Sequence, residues 1–180
     1  WASLTGNFVL SVMAGQATPL LTAEVWHEGS TDSPGQGSGL LAEVGFGPSQ
    51  SDPATDEGWH FEPATYQSDN GNNDVYGGPL YLSEPGSYAW CMRFSIDGGT
   101  NFLYADADGS DDGFSPQNAG TITVTPVSDD PMVYSFSPAG ASVSGGGQLT
   151  VNGNQLGDTV SVLFGDVPVA VTSADDSTVG

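Results

Sequence analysis

Residues 87–95 read SYAWCMRFS, an alternating stretch that predicts a β-strand. Four large side chains stand at every second position: Tyr88, Trp90, Met92 and Phe94. Because successive side chains of a strand point to opposite faces of the sheet, these four share one face, which we expect in the core. The other face carries Ala89, Cys91 and Arg93. Since this second face is also mostly apolar, the stretch predicts a central strand.

On both sides of this stretch the chain shows further short strand patterns and no helical periodicity over ten or more residues. Their ranges are 7–14, 20–27, 40–46, 75–82, 101–105 and 120–125, each bounded by Gly, Pro, Asn, Asp or Ser. Ile96-Asp97-Gly98-Gly99 has the chemistry of a tight hairpin turn between two of these strands. Regularly spaced strands with polar loops are typical of an antiparallel sandwich of the immunoglobulin-like class.

The segment Pro126-Val127-Ser128-Asp129-Asp130-Pro131 marks a domain boundary. Two prolines and two aspartates between strand-like segments make a short, stiff linker. The sequence therefore predicts an all-β chain of two tandem immunoglobulin-like sandwich domains, 1–126 and 131–180, joined by a linker at 127–130. We expect the second domain to be incomplete, because a new strand begins at Ser177 and closing strands are missing. An incomplete sheet exposes unpaired backbone groups, so another chain is expected to complete it.

The second domain resembles the IPT/TIG family of immunoglobulin-like domains. The motifs that carry the resemblance are 135–138 (SFSP), 145–154 (GGGQLTVNGN) and 160–165 (VSVLFG). The resemblance implies a spacer, adhesion or binding module of bacterial surface and secreted proteins, and it implies no catalytic residue.

The first domain is similar to modules of secreted and outer-surface proteins of myxobacteria-like organisms. The matching stretches are 72–76 (NNDVY), 85–88 (PGSY), 93–95 (RFS) and 104–110 (YADADGS). This second resemblance implies a β-sandwich at the cell surface or outside the cell, and it implies no activity.

Composition narrows the range of partners. The chain has one basic side chain, Arg93, against 22 Asp and Glu, and its formal net charge is −21. Nothing in it could neutralise nucleic-acid phosphates, which excludes nucleic acid, and anionic lipid is disfavoured for the same reason. No apolar run reaches the roughly 20 residues needed to cross a membrane. The expected partners are cations, neutral glycans or protein surfaces, and the expected location is secreted or on the cell surface.

The loop 106–113 (DADGSDDG) is the best candidate for a metal site. Calcium takes six to eight oxygen ligands, and oxygens at alternate positions of a loop can supply them. That spacing selects Asp106, Asp108, Ser110 and Asp112, with help from Asp69, Asn72 or Asp74 of another loop. The alternative is an Asx-rich turn whose carboxylates accept hydrogen bonds from their own backbone.

Two other sets of residues are candidates for specific roles. Arg93 lies on a mostly apolar strand, so it is expected to form a structural ion pair with a carboxylate. Aromatic rings on a sandwich face can stack on sugar rings. The candidates for such a glycan site are Trp26, Trp59, Tyr66, Tyr76 and Tyr81, with packing in the core as the alternative.

The motifs of common enzymes, namely a nucleophile elbow, a phosphate-binding loop and a dinucleotide fingerprint, do not occur in the sequence. We therefore expect a non-catalytic extracellular structural protein, the building block of a surface fibre or layer. Its subunits would join by β-strand addition, with residues 1–14 as the donor strand. The alternative function is a carbohydrate-binding or adhesion module of a larger secreted protein.

Overall fold

The computed structural model describes residues 1–127, 132–138, 147–154, 156, 162–164, 166–169 and 178–179. The chain divides into two compact units, Trp1–Val127 and Ser128–Gly180. The division falls within the stretch 127–130 that the sequence suggested as a linker, of which 128–130 lie outside the described residues. In the described part of the chain, no helix is long and apolar enough to cross a membrane.

The first unit contains ten strands. They are β1 (Ala2–Thr5), β2 (Val9–Met13), β3 (Leu21–Val25), β4 (Leu41–Pro48), β5 (His60–Pro63), β6 (Thr65–Asn70), β7 (Asn73–Gly78), β8 (Gly86–Ser95), β9 (Leu103–Ala105) and β10 (Gly120–Thr125). One short 3-10 turn, Ser110–Asp112, lies between β9 and β10. The strands form two sheets, which confirms the prediction of an all-β sandwich fold.

The first two strands of the chain, β1 and β2, belong to different sheets. One sheet has the strand order β1-β3-β7-β6, and the other has the order β2-β10-β8-β4-β5, with β9 also paired to β8. Most pairs are antiparallel, but β2 runs parallel to β10. The chain therefore crosses from one sheet to the other between β1 and β2, at Gly6, whose φ of 83° favours glycine.

The core lies between the two sheets. The large side chains of residues 87–95 face it, as their alternation predicted. Trp90, Met92 and Phe94 are buried and Tyr88 packs against them. The Trp90 indole donates a hydrogen bond to the Phe8 carbonyl at 3.2 Å. Its ring lies against Gly120, where any Cβ would overlap the indole. A large side chain on β8 thus requires a residue without a side chain on β10.

A hairpin is present where it was predicted, but its connection runs over 96–102 and is longer than the turn expected at 96–99. It joins β8 to β9, which pair antiparallel with Arg93 opposite Tyr104. Gly98 and Gly99 have φ values of 72° and 89°, in the region that favours glycine. The Asp97 carboxylate accepts hydrogen bonds from the backbone N–H groups of Thr100 and Asn101, both at 3.0 Å.

Three strands of the first unit escaped the sequence analysis: β1, β5 and β6. β1 is four residues long and β6 is mostly polar, so neither has a strong hydrophobic pattern. The strand expected at 75–82 instead ends at Gly78. Its last part, Pro79 to Leu82, leaves the sheet, and within it Tyr81 forms a single bridge to Ala17.

The suggestion that residues 1–14 donate a strand to a neighbouring subunit is wrong for this structure. Ala2–Thr5 pairs with β3 of the same sandwich, and Val9–Met13 pairs with β10. Each of these strands is an edge strand that already pairs on one side within the chain's own sheets. Donating them to another subunit would leave Leu4 and Leu10 outside the core that they now pack into.

In the second unit, the described residues form five short strands. They are β11 (Met132–Ser137), β12 (Thr150–Asn154), β13 (Val162–Phe164), β14 (Val167–Val169) and β15 (Thr178–Val179). One sheet has the order β11-β12-β15, and β13 pairs with β14. All these pairs are antiparallel, as expected for an immunoglobulin-like segment.

Candidate binding surface

The outer face of the larger sheet carries a layer of half-buried aromatic rings. The layer comprises Trp59, Phe61, Phe102, Tyr104 and Phe114. The rings of Trp59 and Phe61 pack against two glycines of β4. A Cβ at Gly47 would overlap the Trp59 ring, and a Cβ at Gly45 would overlap the Phe61 ring. Their ring planes are 17° apart and their centroids 5.8 Å apart. The two glycines of β4 therefore make room on one face of the sheet for Trp59, which precedes β5, and for Phe61 of β5.

Arg93 is part of this aromatic layer. Its guanidinium carbon lies 3.8 Å from the ring centroid of Phe61 and 3.9 Å from that of Phe102. Its Nε donates to Glu43 Oε2 at 2.6 Å. The single guanidinium of the chain is thus sandwiched between two rings and paired with a carboxylate on the neighbouring strand, where planar stacking and hydrogen bonding suit arginine.

A groove with a volume of about 450 Å³ opens where β4, β5 and the start of β8 meet the loop before β8. Four rings lie around it: Phe46, His60, Tyr81 and Tyr88. Phe46 packs edge-on against Tyr88 with centroids 5.7 Å apart, and its centroid is 5.5 Å from that of His60. Tyr81 stands at the rim with 69% of its surface exposed.

Polar groups accompany these rings. Ser83, Glu84 and Ser87 line the same groove. The Tyr88 hydroxyl donates to the Glu84 carbonyl at 2.9 Å, and this bond holds the loop against the sheet. Small-molecule sites generally combine apolar and aromatic walls with a few polar groups that set orientation. Sugar rings offer one apolar face and many hydroxyls, so a groove of this composition suits them.

A second cavity, of about 290 Å³, has a more apolar lining. Its lining includes Trp26, Leu40, Phe94, Phe102 and Leu103. Trp26 is 39% exposed, and its indole N–H donates to Asp32 at 3.3 Å. Asp97 also lines this cavity, but its carboxylate already accepts hydrogen bonds from the backbone of the hairpin after β8. This cavity has fewer free polar groups for a sugar than the groove around Tyr81.

The structure does not bring the expected glycan-binding aromatics together. Trp59 belongs to the outer aromatic layer, where its indole donates to Ser51 at 2.9 Å. Trp26 lies at the second cavity. Tyr66 is half-buried and packs edge-on against Tyr76, with centroids 5.8 Å apart. Tyr76 needs a correction: it is 1% exposed and belongs to the core, so no sugar can reach its ring.

The groove residues were missed for identifiable reasons. Alternation placed Tyr88 in the core, and it does pack there with one side while its other side lines the groove. Phe46 belongs to a predicted strand and carried no signal of exposure. Tyr81 was a candidate and shares its loop with Glu84, but its neighbours Phe46 and His60 come from β4 and β5. Only the folding of the loop 79–85 onto β4 and β5 assembles them.

The loop suggested for calcium shows a different arrangement from the expected one. Asp106 is fully buried and Asp108 is exposed, while Ser110 uses its hydroxyl to accept a hydrogen bond from the Ala2 N–H at 2.9 Å. Asp112 is exposed. Burial raises the pKa of Asp106, and the adjacent Asp108 carboxyl raises it further. Among the described residues, no group of three or more His, Cys, Asp or Glu side chains is arranged to hold a metal.

Asp69 and Asp74, suggested as additional ligands for that loop, do not join Asp106 and Asp108 in a group of this kind. Their carboxylates instead accept hydrogen bonds from the loop between β3 and β4. Asp74 is fully buried and accepts from the Gly37 N–H at 2.7 Å, and burial raises its pKa. Asp69 accepts from the Tyr66 hydroxyl at 2.7 Å and from the Gly35 N–H, and these bonds lower its pKa.

Comparison with known proteins relates the chain to two groups. The family model for the IPT/TIG domain matches residues 131–180. An amylopullulanase of Thermoanaerobacter thermohydrosulfuricus is 30% identical over 159 residues, which cover 78% of this chain and 10% of that protein. An amylopullulanase of Thermoanaerobacterium saccharolyticum is 32% identical over 114 residues, covering 56% of this chain and 9% of that protein.

The chain thus spans about a tenth of the length of these relatives. The resemblance of 1–126 to surface modules of myxobacteria-like organisms stays a prediction. The resemblance drawn from the motifs at 135–138, 145–154 and 160–165 is confirmed: residues 131–180 match the IPT/TIG family, and 78% of the chain is similar to a segment of an amylopullulanase.

Proposed function

We propose that this chain is a non-catalytic carbohydrate-binding module of a larger secreted protein, and that the groove around Tyr81 holds an α-glucan chain. The observation that carries the proposal is the groove itself. It combines an exposed tyrosine at the rim with further rings and with Ser83, Glu84 and Ser87. Sugar binding uses this combination of ring stacking and a few oriented polar groups.

The names of the relatives support the choice of ligand class. The relatives are named amylopullulanase, and the matching segment is a small part of each of them. A segment that is separate from most of the enzyme suits an accessory role, in which it holds the polysaccharide near a catalytic domain elsewhere. The name suggests starch-type α-glucans and pullulan as the polysaccharides to test.

The residues of the groove favour binding over hydrolysis. Glycoside hydrolysis requires two carboxyl groups about 5–9.5 Å apart across the scissile bond. Glu84 is the one carboxylic acid among the described residues that line the groove. A binding site without that pair holds the sugar and leaves its glycosidic bonds intact.

The test is retention of the whole chain in native gels that contain soluble starch or pullulan, with dextran as the comparison polysaccharide. The wild-type chain is expected to be retarded by at least one of the first two. Tyr81→Ala should weaken the interaction about fivefold, because it removes an exposed ring that contributes on the order of 1 kcal/mol by stacking. Trp26→Ala is the matched control, since Trp26 is an exposed ring outside the groove.

Two results would contradict the proposal. A wild-type chain that migrates unchanged with starch and pullulan would remove the binding function. Retardation lost in Trp26→Ala and kept in Tyr81→Ala would move the site away from the groove. Far-UV circular dichroism of both variants shows whether they are folded.

Assembly into a surface fibre or layer by strand addition stays a prediction. The donor strand suggested for it is used within the chain's own sandwich, so any such contact would require another segment. Adhesion to a glycan-coated surface is compatible with the proposed groove and would depend on the same residues. The secreted or surface location is part of the same proposal, which the similarity to amylopullulanases supports.

A further inference from the structure

The loop between β9 and β10 is tied to the first strand of the chain. The Asp106 carbonyl accepts from the Leu4 N–H at 2.9 Å, and the Ser110 hydroxyl accepts from the Ala2 N–H at 2.9 Å. The loop also closes on itself, because the Ala107 N–H donates to the Asn118 carbonyl at 2.9 Å. The positions of Asp106 and Asp108 are therefore set by the backbone around them.

Each of these two carboxylates has one oxygen in use. Asp106 Oδ2 accepts from the Ser115 N–H at 2.8 Å, and Asp108 Oδ2 accepts from the Asn118 side-chain amide at 2.7 Å. The other oxygen of Asp106, Oδ1, is buried and has no hydrogen-bond partner. Asp106 is 0% exposed, and its carboxyl group lies beside that of Asp108.

A buried carboxylate oxygen next to a second carboxylate has to be stabilised by a proton or by a positive partner, because burying an uncompensated charge is very costly. The chain contains a single Lys or Arg side chain, Arg93, and its guanidinium is engaged by Glu43. No Lys or Arg side chain is left to supply the compensating charge, and a cation from solution can supply it in place of a shared proton.

We propose that a calcium ion binds between Asp106 Oδ1 and the carboxylate of Asp108, and that it fastens the loop 106–118 to β1. Carboxylate and other hard oxygens are the ligands that calcium prefers. Two carboxylates make a weak site, and extracellular modules with such sites bind calcium with dissociation constants of about 0.1–1 mM. Of the four ligands expected from the sequence, the site keeps two, since the Ser110 hydroxyl is bonded to the Ala2 N–H and Asp112 is exposed.

The experiment is thermal unfolding of the full chain at constant ionic strength, with 10 mM CaCl2, with MgCl2, or with NaCl alone. Constant ionic strength matters because any salt screens a formal charge of −21. Calcium that binds only the folded state should raise the Tm of the wild-type chain by about 3–6 °C over the NaCl sample. Magnesium should do less, because it requires a more regular octahedral site.

Asp108→Asn is the informative variant. Asp108 is exposed, so the variant is expected to fold, and it should lose the calcium-dependent rise in Tm. Asp111→Asn removes the same charge from an exposed position in the same loop and should keep the full rise. Calorimetric titration with CaCl2 gives a second readout, in which Asp108→Asn should bind at least tenfold more weakly.

The proposal is overturned if calcium raises the Tm of the two variants and the wild type equally, because that result reports screening alone. It is also overturned if Asp108→Asn is more stable than the wild type at neutral pH and calcium affects neither. In that case the two carboxyl groups share a proton. The proposal does not depend on the groove around Tyr81, so failure of one leaves the other standing.

Discussion

Replacing Arg93 with glutamine should destabilise the first unit, and the structure supports an estimate of the loss. The guanidinium contacts two rings, at 3.8 and 3.9 Å from their centroids, and each such contact contributes about 0.5–1 kcal/mol at a partly exposed site. The ion pair with Glu43 is shared by side chains that are 21% and 28% exposed, which places it near the upper end of the range for surface pairs, about 1 kcal/mol. Together the three contacts predict a loss of about 2–3 kcal/mol.

Urea unfolding followed by tryptophan fluorescence measures this loss in the first unit alone, because all four tryptophans lie before residue 127. With a slope of about 1–3 kcal/mol per molar urea, the midpoint of Arg93→Gln should fall by roughly 1 M. Arg93→Lys keeps the charge but loses the planar group that stacks on two rings, so it should recover only part of the difference.

Two results would refute the reasoning about Arg93. One is an Arg93→Gln variant within about 0.5 kcal/mol of the wild type, which would mean that the contacts contribute no more than an ordinary surface position. The other is an Arg93→Lys variant as stable as the wild type, which would show that charge alone matters. A double-mutant cycle with Glu43→Gln separates the ion pair from the ring contacts.

Two further predictions concern single positions. Gly47→Ala should lower the free energy of unfolding by about 1–3 kcal/mol, because the new Cβ forces the Trp59 ring off β4. This loss is expected even though alanine is otherwise better than glycine within a strand. A shift in Trp59 emission with no loss of stability would contradict the prediction. The pKa of Asp97 is lowered from 3.8 to about 2, first by its hydrogen bonds with Asn101, so its stabilising effect is complete above pH 4 and is lost as the pH falls toward 2. The stability difference between wild type and Asp97→Asn, measured by urea unfolding from pH 6 to pH 2, should therefore shrink in that window and is expected to be constant above it.

The strands that could be predicted are those with a strong local pattern. β8, β10 and the hairpin after β8 were predicted from alternation and from the Asp-Gly turn, and they lie where expected. Both signals depend on neighbours in the sequence, since alternation and turn chemistry involve only a few adjacent residues. The short or polar strands β1, β5 and β6 form because the sheets offer them partners, and that information is absent from their own residues.

The candidate site was predicted in its parts and missed as a whole. Tyr81 stood among the candidate rings, but Tyr76 was also included and proved to be in the core. A tyrosine in a strand has the same local sequence signal whether it faces the core or solvent. The rings around the groove come from β4, β5, β8 and the loop before β8, and their meeting depends on how these segments pack.

The sequence alone determined the all-β class, the IPT/TIG resemblance of 131–180, the extreme acidity and the hairpin turn, because each is a property of composition or of residues close together in the chain. The tertiary structure decided the remainder. It placed residues 1–14 in the chain's own two sheets, set Arg93 between Phe61 and Phe102, and left Asp106 Oδ1 buried beside Asp108. These outcomes depend on contacts between residues that are distant in sequence, and such contacts exist only once the sheets have paired and packed.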